Sequence, residues 1–271
     1  ILPVPYYFNH QMWLEVLGIK AVHLGCNMSQ GGLPDIDEAR RLIGKKTKAI
    51  VLVTPNNPTG ATYPSDLLKG FFKLCQKHGI KLIIDETYKD FLTEQPPHQL
   101  FEISDWGGTL IQVYSFSKCF SLTGYRVGSV IAGENVIESV TKIMDSVAIC
   151  APRIAQDAAL YGLEHLTSWV AEKRNMLKKR RELFNKLFRE NNLGFKIISS
   201  GAYFAYVEHQ YDNKNAYQVA QDLLDKENIL SLPGTFFGPN QERFLRFAYA
   251  NITRKEITDV IDRLNVSFNK P

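Results

Sequence analysis

The chain has 271 residues, of which 45% are apolar, and its 32 Lys and Arg residues against 28 Asp and Glu give a formal net charge of +4. An apolar fraction close to that of ordinary globular proteins excludes a disordered or fibrous chain. No uninterrupted apolar stretch approaches the ~20 residues of a membrane-spanning helix, so we expect no membrane partner. Because the charges are spread along the chain, we expect no nucleic-acid partner either.

Four cysteines lie far apart along the chain, at Cys26, Cys75, Cys119 and Cys150. They form no Cys-x-x-Cys pair and no cluster with histidine, which argues against a disulfide scaffold and against a metal site. Scattered free thiols fit a reducing compartment, so we predict a cytoplasmic protein. The chain begins with Ile1 rather than Met and lacks the build of a signal peptide, and we expect it to be a fragment or a chain whose front has been removed.

Short β-branched runs alternate with helical stretches in the first part of the chain. The run from Thr47 to Thr54 has the pattern of a buried strand, and a helix is expected to open at Pro64 and to end at Gly79. Further strands are predicted from Ile80 to Asp85, from Thr109 to Tyr114 and from Val127 to Ala132. Short apolar strands interleaved with helices indicate a parallel sheet covered on both faces, so the predicted fold class is α/β.

The character of the sequence changes near Leu163. A long helical pattern runs from Glu164 to Asn191, and its run of four basic residues is typical of the solvated face of an amphipathic helix. Strand-like segments and further helices follow, the last of them opened by Thr253 and Glu256 at the spacing of a capping box. We therefore predict a large domain over residues 1–163, then a long linking helix and a small α+β domain over residues 164–271.

Polar side chains follow the predicted strands of the first part. Ligands of open α/β sheets bind at the carboxyl ends of the strands, so we expect these side chains to converge on one rim of the sheet. They are Asn57 after the first strand, Asp85 and Tyr88 after the second, Ser115, Ser117 and Lys118 after the third, and Arg126 at the entrance to the fourth.

This set of side chains matches the needs of pyridoxal phosphate. The cofactor needs a lysine for a Schiff base and a carboxylate that keeps its pyridine nitrogen protonated, so that the ring acts as an electron sink. Its phenolic oxygen needs hydrogen-bond donors, which an asparagine and a tyrosine supply, and its phosphate needs a cation and hydroxyl groups. None of these functions requires a metal.

Four motifs resemble those of the class I/II aminotransferases, the fold-type-I pyridoxal-phosphate enzymes of the aspartate aminotransferase superfamily. The motifs are NNPTG at 56–60, DETYKDF at 85–91, SFSKCFSLTGYRVG at 115–128 and FLRFAYA at 244–250. They occur in the family's order, and the similarity extends from about Pro5 to the C-terminus, which makes it far more specific than a single motif. The resemblance implies a mostly parallel sheet sandwiched by helices, with the N-terminal part of the family fold missing.

The resemblance also implies roles around the cofactor ring. Lys118 would form the Schiff base and move the proton, and Asp85 would pair with the pyridinium nitrogen. Tyr88 and Asn57 would contact the phenolic oxygen. Because Asn57 precedes a proline, the alternative is that its side chain only stabilises a turn. Tyr7 resembles the aromatic residue that stacks on the face of the ring.

Further roles concern the phosphate and the substrate. Ser115, Ser117 and Arg126 would hold the phosphate, and Arg246 would bind the substrate α-carboxylate together with Asn57. No role is assigned to any of the six histidines. The family's glycine-rich phosphate-binding segment lies upstream of Tyr7 and is absent here, so we expect the chain alone to hold the cofactor weakly or to be inactive.

The expected function is transamination between an L-amino acid and a 2-oxo acid by a cytoplasmic homodimer. Two alternatives stay open: β-elimination by a C–S lyase on the same fold, and a non-catalytic effector module of a transcription regulator. The sequence does not identify the amino donor or the acceptor, because no motif places a residue against the substrate side chain.

Overall fold

The structure is a computed structural model that describes residues 1–92, 96–191 and 193–268. Its α-helices are α1 (Phe8–Val16), α2 (Ile36–Leu42), α3 (Ser65–His78), α4 (Phe116–Cys119), α5 (Glu134–Val147), α6 (Arg153–His165), α7 (Thr167–Glu190), α8 (Ala216–Glu227) and α9 (Arg254–Phe268). Its strands are β1 (Leu2–Val4), β2 (His23–Asn27), β3 (Leu33–Pro34), β4 (Ala49–Val53), β5 (Lys81–Asp85), β6 (Leu110–Ser115), β7 (Gly128–Ala132), β8 (Phe195–Gly201), β9 (Phe204–His209), β10 (Leu232–Pro233) and β11 (Phe244–Ala248). In the described ranges, no helix is both long enough and apolar enough to cross a membrane.

The chain divides into two compact units that are discontinuous in sequence. The first unit contains Ile1, Ile36–Pro55 and Tyr63–Arg174. The second unit contains Leu2–Asp35, Asn56–Thr62 and the chain from Asn175 onward. The division falls inside α7, and the second unit takes up two segments from the first part of the sequence. The continuous boundary between residues 163 and 164 stays a prediction.

A four-stranded sheet in the order β4-β5-β6-β7 forms the centre of the first unit. The strands β4, β5 and β6 are parallel, whereas β7 returns antiparallel to β6. The predicted α/β class with a mostly parallel sheet is therefore confirmed. Because β7 runs in the opposite direction, its first residue, Gly128, pairs with Ser115 at the carboxyl end of β6. The entrance to β7 thus lies at the same edge of the sheet as the end of β6.

One face of α3 supplies much of the core of the first unit. Leu68, Phe71, Phe72 and Cys75 recur at spacings of three and four residues, and all four are fully buried. The helix ends at Gly79, which has a left-handed φ of 64° that glycine adopts without a side-chain penalty. The predicted limits of this helix are confirmed.

The second unit contains two sheets. The larger one is antiparallel throughout, in the order β10-β11-β9-β8, and α8, α9 and the second part of α7 contribute to its core. The smaller sheet, β1-β2-β3, is formed by residues before position 36 and was not predicted. At the start of α9, Thr253 and Glu256 exchange backbone-to-side-chain hydrogen bonds of 2.6 and 3.3 Å, which confirms the predicted capping box.

Candidate active site

Lys118 lies in α4, a single helical turn that begins directly after β6. Ser115 precedes this turn, and its hydroxyl accepts a hydrogen bond of 3.3 Å from the backbone N–H of Ser117, which caps the turn. Lys118 is half-buried, between the buried residues Ser117 and Cys119. The structure thus brings the predicted lysine and both predicted serines together at the carboxyl end of one strand.

Asp85 is the last residue of β5, the strand next to β6. The two strands are parallel and in register at Asp85 and Val113, so Asp85 and the turn that carries Lys118 lie at the same edge of the sheet. The Oδ1 atom of Asp85 accepts two hydrogen bonds from Thr87, one of 3.0 Å from the backbone N–H and one of 2.7 Å from the hydroxyl. These contacts define the orientation of the carboxylate.

Tyr88 and Arg126 complete the predicted residues of the first unit. Tyr88 lies three residues after Asp85, and its side chain is 5% exposed. Arg126 stands two residues before β7 with a left-handed φ of 54°, which is uncommon for a residue other than glycine. Its guanidinium is exposed and donates a hydrogen bond of 2.8 Å to the carbonyl of Thr123. Both residues lie near the sheet edge that carries Asp85 and Lys118.

Glu86, to which the sequence assigns no role, is completely buried beside Asp85. The side-chain amide of Gln112 on β6 donates a hydrogen bond to its Oε2, and Nε2 of His98 lies 3.3 Å from its Oε1 without hydrogen-bond geometry. The Nδ1 atom of His98 accepts a hydrogen bond of 3.2 Å from the N–H of Leu100, so a neutral ring carries its proton on Nε2 and directs it toward Glu86.

The burial pattern around β5 explains this arrangement. Burial alternates along the strand and continues past its end, with Leu82, Ile84, Glu86 and Tyr88 buried and the residues between them half-buried. Because side chains alternate between the two faces of a strand, Asp85 and Thr87 share one face and Glu86 takes the other. Extending the alternation by three residues would have placed Glu86 inside and Thr87 beside Asp85.

The thiol next to Lys118 does not compete as an acid or base at neutral pH. Burial raises the pKa of Cys119 to about 11. Burial, followed by the charge of Asp90, also raises the pKa of Tyr114, whose hydroxyl donates a hydrogen bond of 2.5 Å to the Asp90 carboxylate. Both groups therefore stay protonated at neutral pH.

Arg246 lies on β11 in the second unit. Its neighbours Leu245 and Phe247 are buried in the core, as expected for residues whose side chains point to the opposite face of the strand. The guanidinium carbon lies 4.6 Å from the ring centre of Phe204 and 5.1 Å from that of Phe237, within the range of cation–π contacts. The two rings hold the planar cation of Arg246 in place.

Asn57 is buried and accepts a hydrogen bond of 2.9 Å at Oδ1 from the guanidinium of Arg246. The turn itself is stabilised by Asn56, whose Oδ1 accepts hydrogen bonds of 3.1 and 2.9 Å from the N–H and hydroxyl of Thr59. The side chain that stabilises the turn is therefore that of Asn56. Asn57 instead forms a polar pair with the arginine that the motifs assign to the substrate carboxylate.

A close backbone approach anchors this turn. Gly60 has a φ of 71°, and a Cβ at this position would lie 2.3 Å from the backbone nitrogen of Gly201. The hydroxyl of Ser199 donates a hydrogen bond of 2.8 Å to the carbonyl of Thr59. The turn that carries Asn57 is thus fixed against β8 of the same unit.

Tyr7 immediately precedes α1 in the second unit. Its ring centre lies 4.9 Å from that of Phe8 and 5.6 Å from the ring of His10, and its hydroxyl accepts a hydrogen bond of 3.1 Å from Asn9. The predicted stacking role of Tyr7 stays a prediction. The rings of Phe204 and Phe237 beside Arg246 were not predicted, because their approach depends on the tertiary structure.

Comparisons with known proteins give several similarities. An aromatic aminotransferase of Arabidopsis thaliana, ISS1, is 28% identical over 270 residues that cover 96% of this chain and 66% of that protein. The aspartate aminotransferase of Pyrococcus horikoshii is 29% identical over 267 residues, 97% of this chain and 68% of that protein. This chain spans between 62% and 68% of the length of such curated relatives.

A solved structure and a family profile are also similar to this chain. A tetra mutant of the Thermus thermophilus aspartate aminotransferase matches with a TM-score of 0.89 at 26% identity, covering 97% of this chain and 71% of that chain. The profile of the family described as aminotransferase class I and II matches residues 1–264. Since the match covers nearly the whole sequence and includes all four motifs, the chain belongs to the class I and II aminotransferase family.

Proposed function

We propose that the protein containing this chain is a pyridoxal-phosphate-dependent aminotransferase that moves an amino group between an L-amino acid and a 2-oxo acid. The observation that carries the proposal is the position of Lys118 and Asp85 at the carboxyl ends of two adjacent parallel strands. Ligands of α/β sheets bind at this edge. The family to which the chain belongs supports the same activity.

The donor groups of the first unit fit pyridoxal phosphate. Lys118 offers an amine, Asp85 a carboxylate and Tyr88 a phenol, while Ser115 and Arg126 offer a hydroxyl and a guanidinium. When bound, the cofactor supplies an electron-withdrawing ring that stabilises the negative charge developing at the substrate Cα. The carboxylate of Asp85, oriented by Thr87, would hold the proton of the ring nitrogen.

Lys118 would attach the cofactor and, once displaced by the substrate amine, move a proton at the substrate Cα. Tyr88 would bind the phenolic oxygen together with Asn57. Ser115, Ser117 and Arg126 would bind the phosphate, Arg126 as a charge-assisted donor. Tyr7 would stack on the ring face. We give these residues the roles that their motifs imply.

Arg246 and Asn57 would bind the α-carboxylate that every amino-acid and 2-oxo-acid substrate carries. A guanidinium forms two parallel hydrogen bonds with a carboxylate, which fixes both the position and the orientation of the substrate. The contact between Arg246 and Asn57 and the flanking rings of Phe204 and Phe237 orient the cation before substrate binds. Such preorganisation lowers the entropic cost of binding.

We further propose a cytoplasmic homodimer acting on small molecules, without a nucleic-acid or membrane partner. Large apolar side chains of the first unit are well exposed, among them Val147, Ile149 and Ile154. We infer that a second copy of the chain covers these side chains, since large exposed apolar surfaces are rare on monomers and are typical of protein interaction sites. Light scattering of the full-length protein should give twice the monomer mass, and a monomer would contradict the dimer.

The test of the proposed function is covalent labelling at Lys118. Borohydride reduction of the full-length protein loaded with pyridoxal phosphate, followed by peptide mapping, should place the pyridoxyl group on Lys118. Lys118→Ala should abolish the label, whereas Lys89→Ala, which removes a lysine near the same sheet edge, should leave it intact. A label on another lysine would overturn the assignment.

A panel of amino donors with 2-oxoglutarate and pyruvate then identifies the reaction. Transamination yields a new amino acid and a new 2-oxo acid in equal amounts. Release of thiol and ammonia from a cystathionine-like substrate without amino transfer would instead support the C–S lyase.

A further inference from the structure

Thr87 contacts Asp85 through both of its polar groups. Its backbone N–H and its hydroxyl donate to the same atom, Oδ1 of Asp85, at 3.0 and 2.7 Å. The two residues share one face of the chain because they are two positions apart in an alternating segment. Glu86, which lies between them, is turned to the buried side and held there by Gln112 and His98.

These two hydrogen bonds restrict the Asp85 carboxylate more than a backbone turn alone would. An ionised carboxylate oxygen has two lone pairs, and the two donors of Thr87 use both on Oδ1. Threonine is β-branched and therefore restricted at χ1, which limits the directions that its hydroxyl takes relative to the backbone N–H. The carboxylate therefore cannot turn about its Cβ–Cγ bond without breaking the hydroxyl contact.

We propose that Thr87 is a positioning residue whose hydroxyl holds the Asp85 carboxylate in the orientation that recognises the cofactor's ring nitrogen. The inference rests on the proposed function, in which Asp85 pairs with that nitrogen. The backbone N–H would hold Asp85 in a turn with any residue except proline at position 87. The hydroxyl adds a second, directional contact that valine, with nearly the same shape, cannot make.

The experiment measures binding of two cofactors to the full-length apoprotein. One is pyridoxal phosphate, and the other is its 1-deaza analogue, in which a CH group replaces the ring nitrogen. Thr87→Val should weaken binding of pyridoxal phosphate by about tenfold, as expected for loss of a hydrogen bond to a charged group. Binding of the analogue should change by less than about twofold, because this cofactor offers no ring nitrogen to Asp85.

Two further variants serve as controls. Thr87→Ser keeps the hydroxyl but relaxes its direction, so it should stay within about threefold of the wild type for both cofactors. Thr141→Val removes a hydroxyl that bonds the carbonyl of Ile137 on the exposed surface of α5, and it should change neither affinity.

The outcomes separate the inference from the proposed function. Equal losses for both cofactors in Thr87→Val would show a general structural defect and overturn the positioning role. Unchanged binding of pyridoxal phosphate by Thr87→Val would overturn it as well, while leaving the proposed function intact. Wild-type protein that binds neither cofactor would overturn both.

Discussion

The guanidinium of Arg246 is held by a hydrogen bond to Asn57 and by two aromatic rings. Its side chain is therefore already oriented before substrate binds, and little conformational entropy is lost on binding. We predict that Arg246→Lys lowers kcat/KM by roughly 30- to 1000-fold, because a lysine cannot make the two-pronged contact, worth ~2–4 kcal/mol, with a carboxylate. The loss should be similar for every amino donor, since all of them carry an α-carboxylate. Steady-state kinetics with three donors of different side chain measures it.

Arg243→Lys is the matched control for this prediction. Arg243 directly precedes β11, and its guanidinium donates a hydrogen bond of 3.1 Å to the carbonyl of Tyr211, away from Asn57. Its substitution should leave kcat/KM within about twofold of the wild type, as for most surface changes. If Arg246→Lys impaired only one class of donor, Arg246 would be a side-chain specificity residue instead.

Most residues of the candidate site can be recognised from short sequence motifs. Contacts between residues that are distant in the sequence cannot be predicted in this way. Lys118 and Asp85 each follow a predictable strand, and their chemistry can be recognised from the residues around them. The contact of Phe204 and Phe237 with Arg246 depends on how β9 and the segment after β10 meet β11 in the folded unit. A sequence contains many phenylalanines, and no local pattern indicates which of them reach a given arginine.

At the scale of elements, β5 and β6 are joined by more than their backbone ladder. The buried carboxylate of Glu86 accepts from Gln112 on β6 and faces His98, which comes from the segment after β5. We predict that Glu86→Ala lowers the free energy of unfolding by about 3 kcal/mol, because it leaves the buried amide of Gln112 without its acceptor and His98 without the carboxylate that it faces. Glu86→Gln should cost only about 1 kcal/mol, since the Gln112 amide can turn over and accept from the new amide.

Urea unfolding followed by fluorescence measures these differences. Glu102→Ala, which removes an exposed carboxylate from the same unit, is the control and should change the free energy of unfolding by less than about 0.5 kcal/mol. A loss no larger for Glu86→Ala than for Glu102→Ala would mean that the buried cluster does not stabilise the fold.

The strands of the central sheet are predicted within two residues of their observed limits, because apolar β-branched runs between turns are a strong local signal. The small sheet β1-β2-β3 was missed, since two of its strands have only three and two residues and contain proline. The direction of β7 was missed too, although the connection from β6 contains only one turn of α-helix. That connection lacks the long covering helix that usually joins parallel strands.

At the scale of the whole molecule, two buried thiols are expected to lower the free energy of unfolding as the pH rises into the alkaline range. Burial raises the pKa of Cys75 to about 12 and that of Cys119 to about 11, and both side chains are at most 1% exposed. In the unfolded chain a thiol loses its proton near pH ~8.5. Between these values the folded protein binds more protons than the unfolded chain, so the free energy of unfolding falls as the pH rises.

We therefore expect the free energy of unfolding to be constant with respect to these thiols below about pH 8 and to fall above it. Each thiol contributes a slope of up to about 1.4 kcal/mol per pH unit once its unfolded form is ionised. Urea unfolding at intervals between pH 8 and pH 9 measures the slope, because tyrosines of the unfolded chain, with a pKa of about 10, are still largely protonated in this range.

The double variant Cys75→Ala, Cys119→Ala should flatten this dependence, even though the lost side chains lower its stability at every pH. Cys150→Ala removes an exposed thiol and should leave the slope as it is in the wild type. The comparison uses the slope rather than the absolute stability, so the small cavities left by the two alanines do not affect it. A double variant with the wild-type slope would show that groups other than Cys75 and Cys119 control the alkaline limit of the fold.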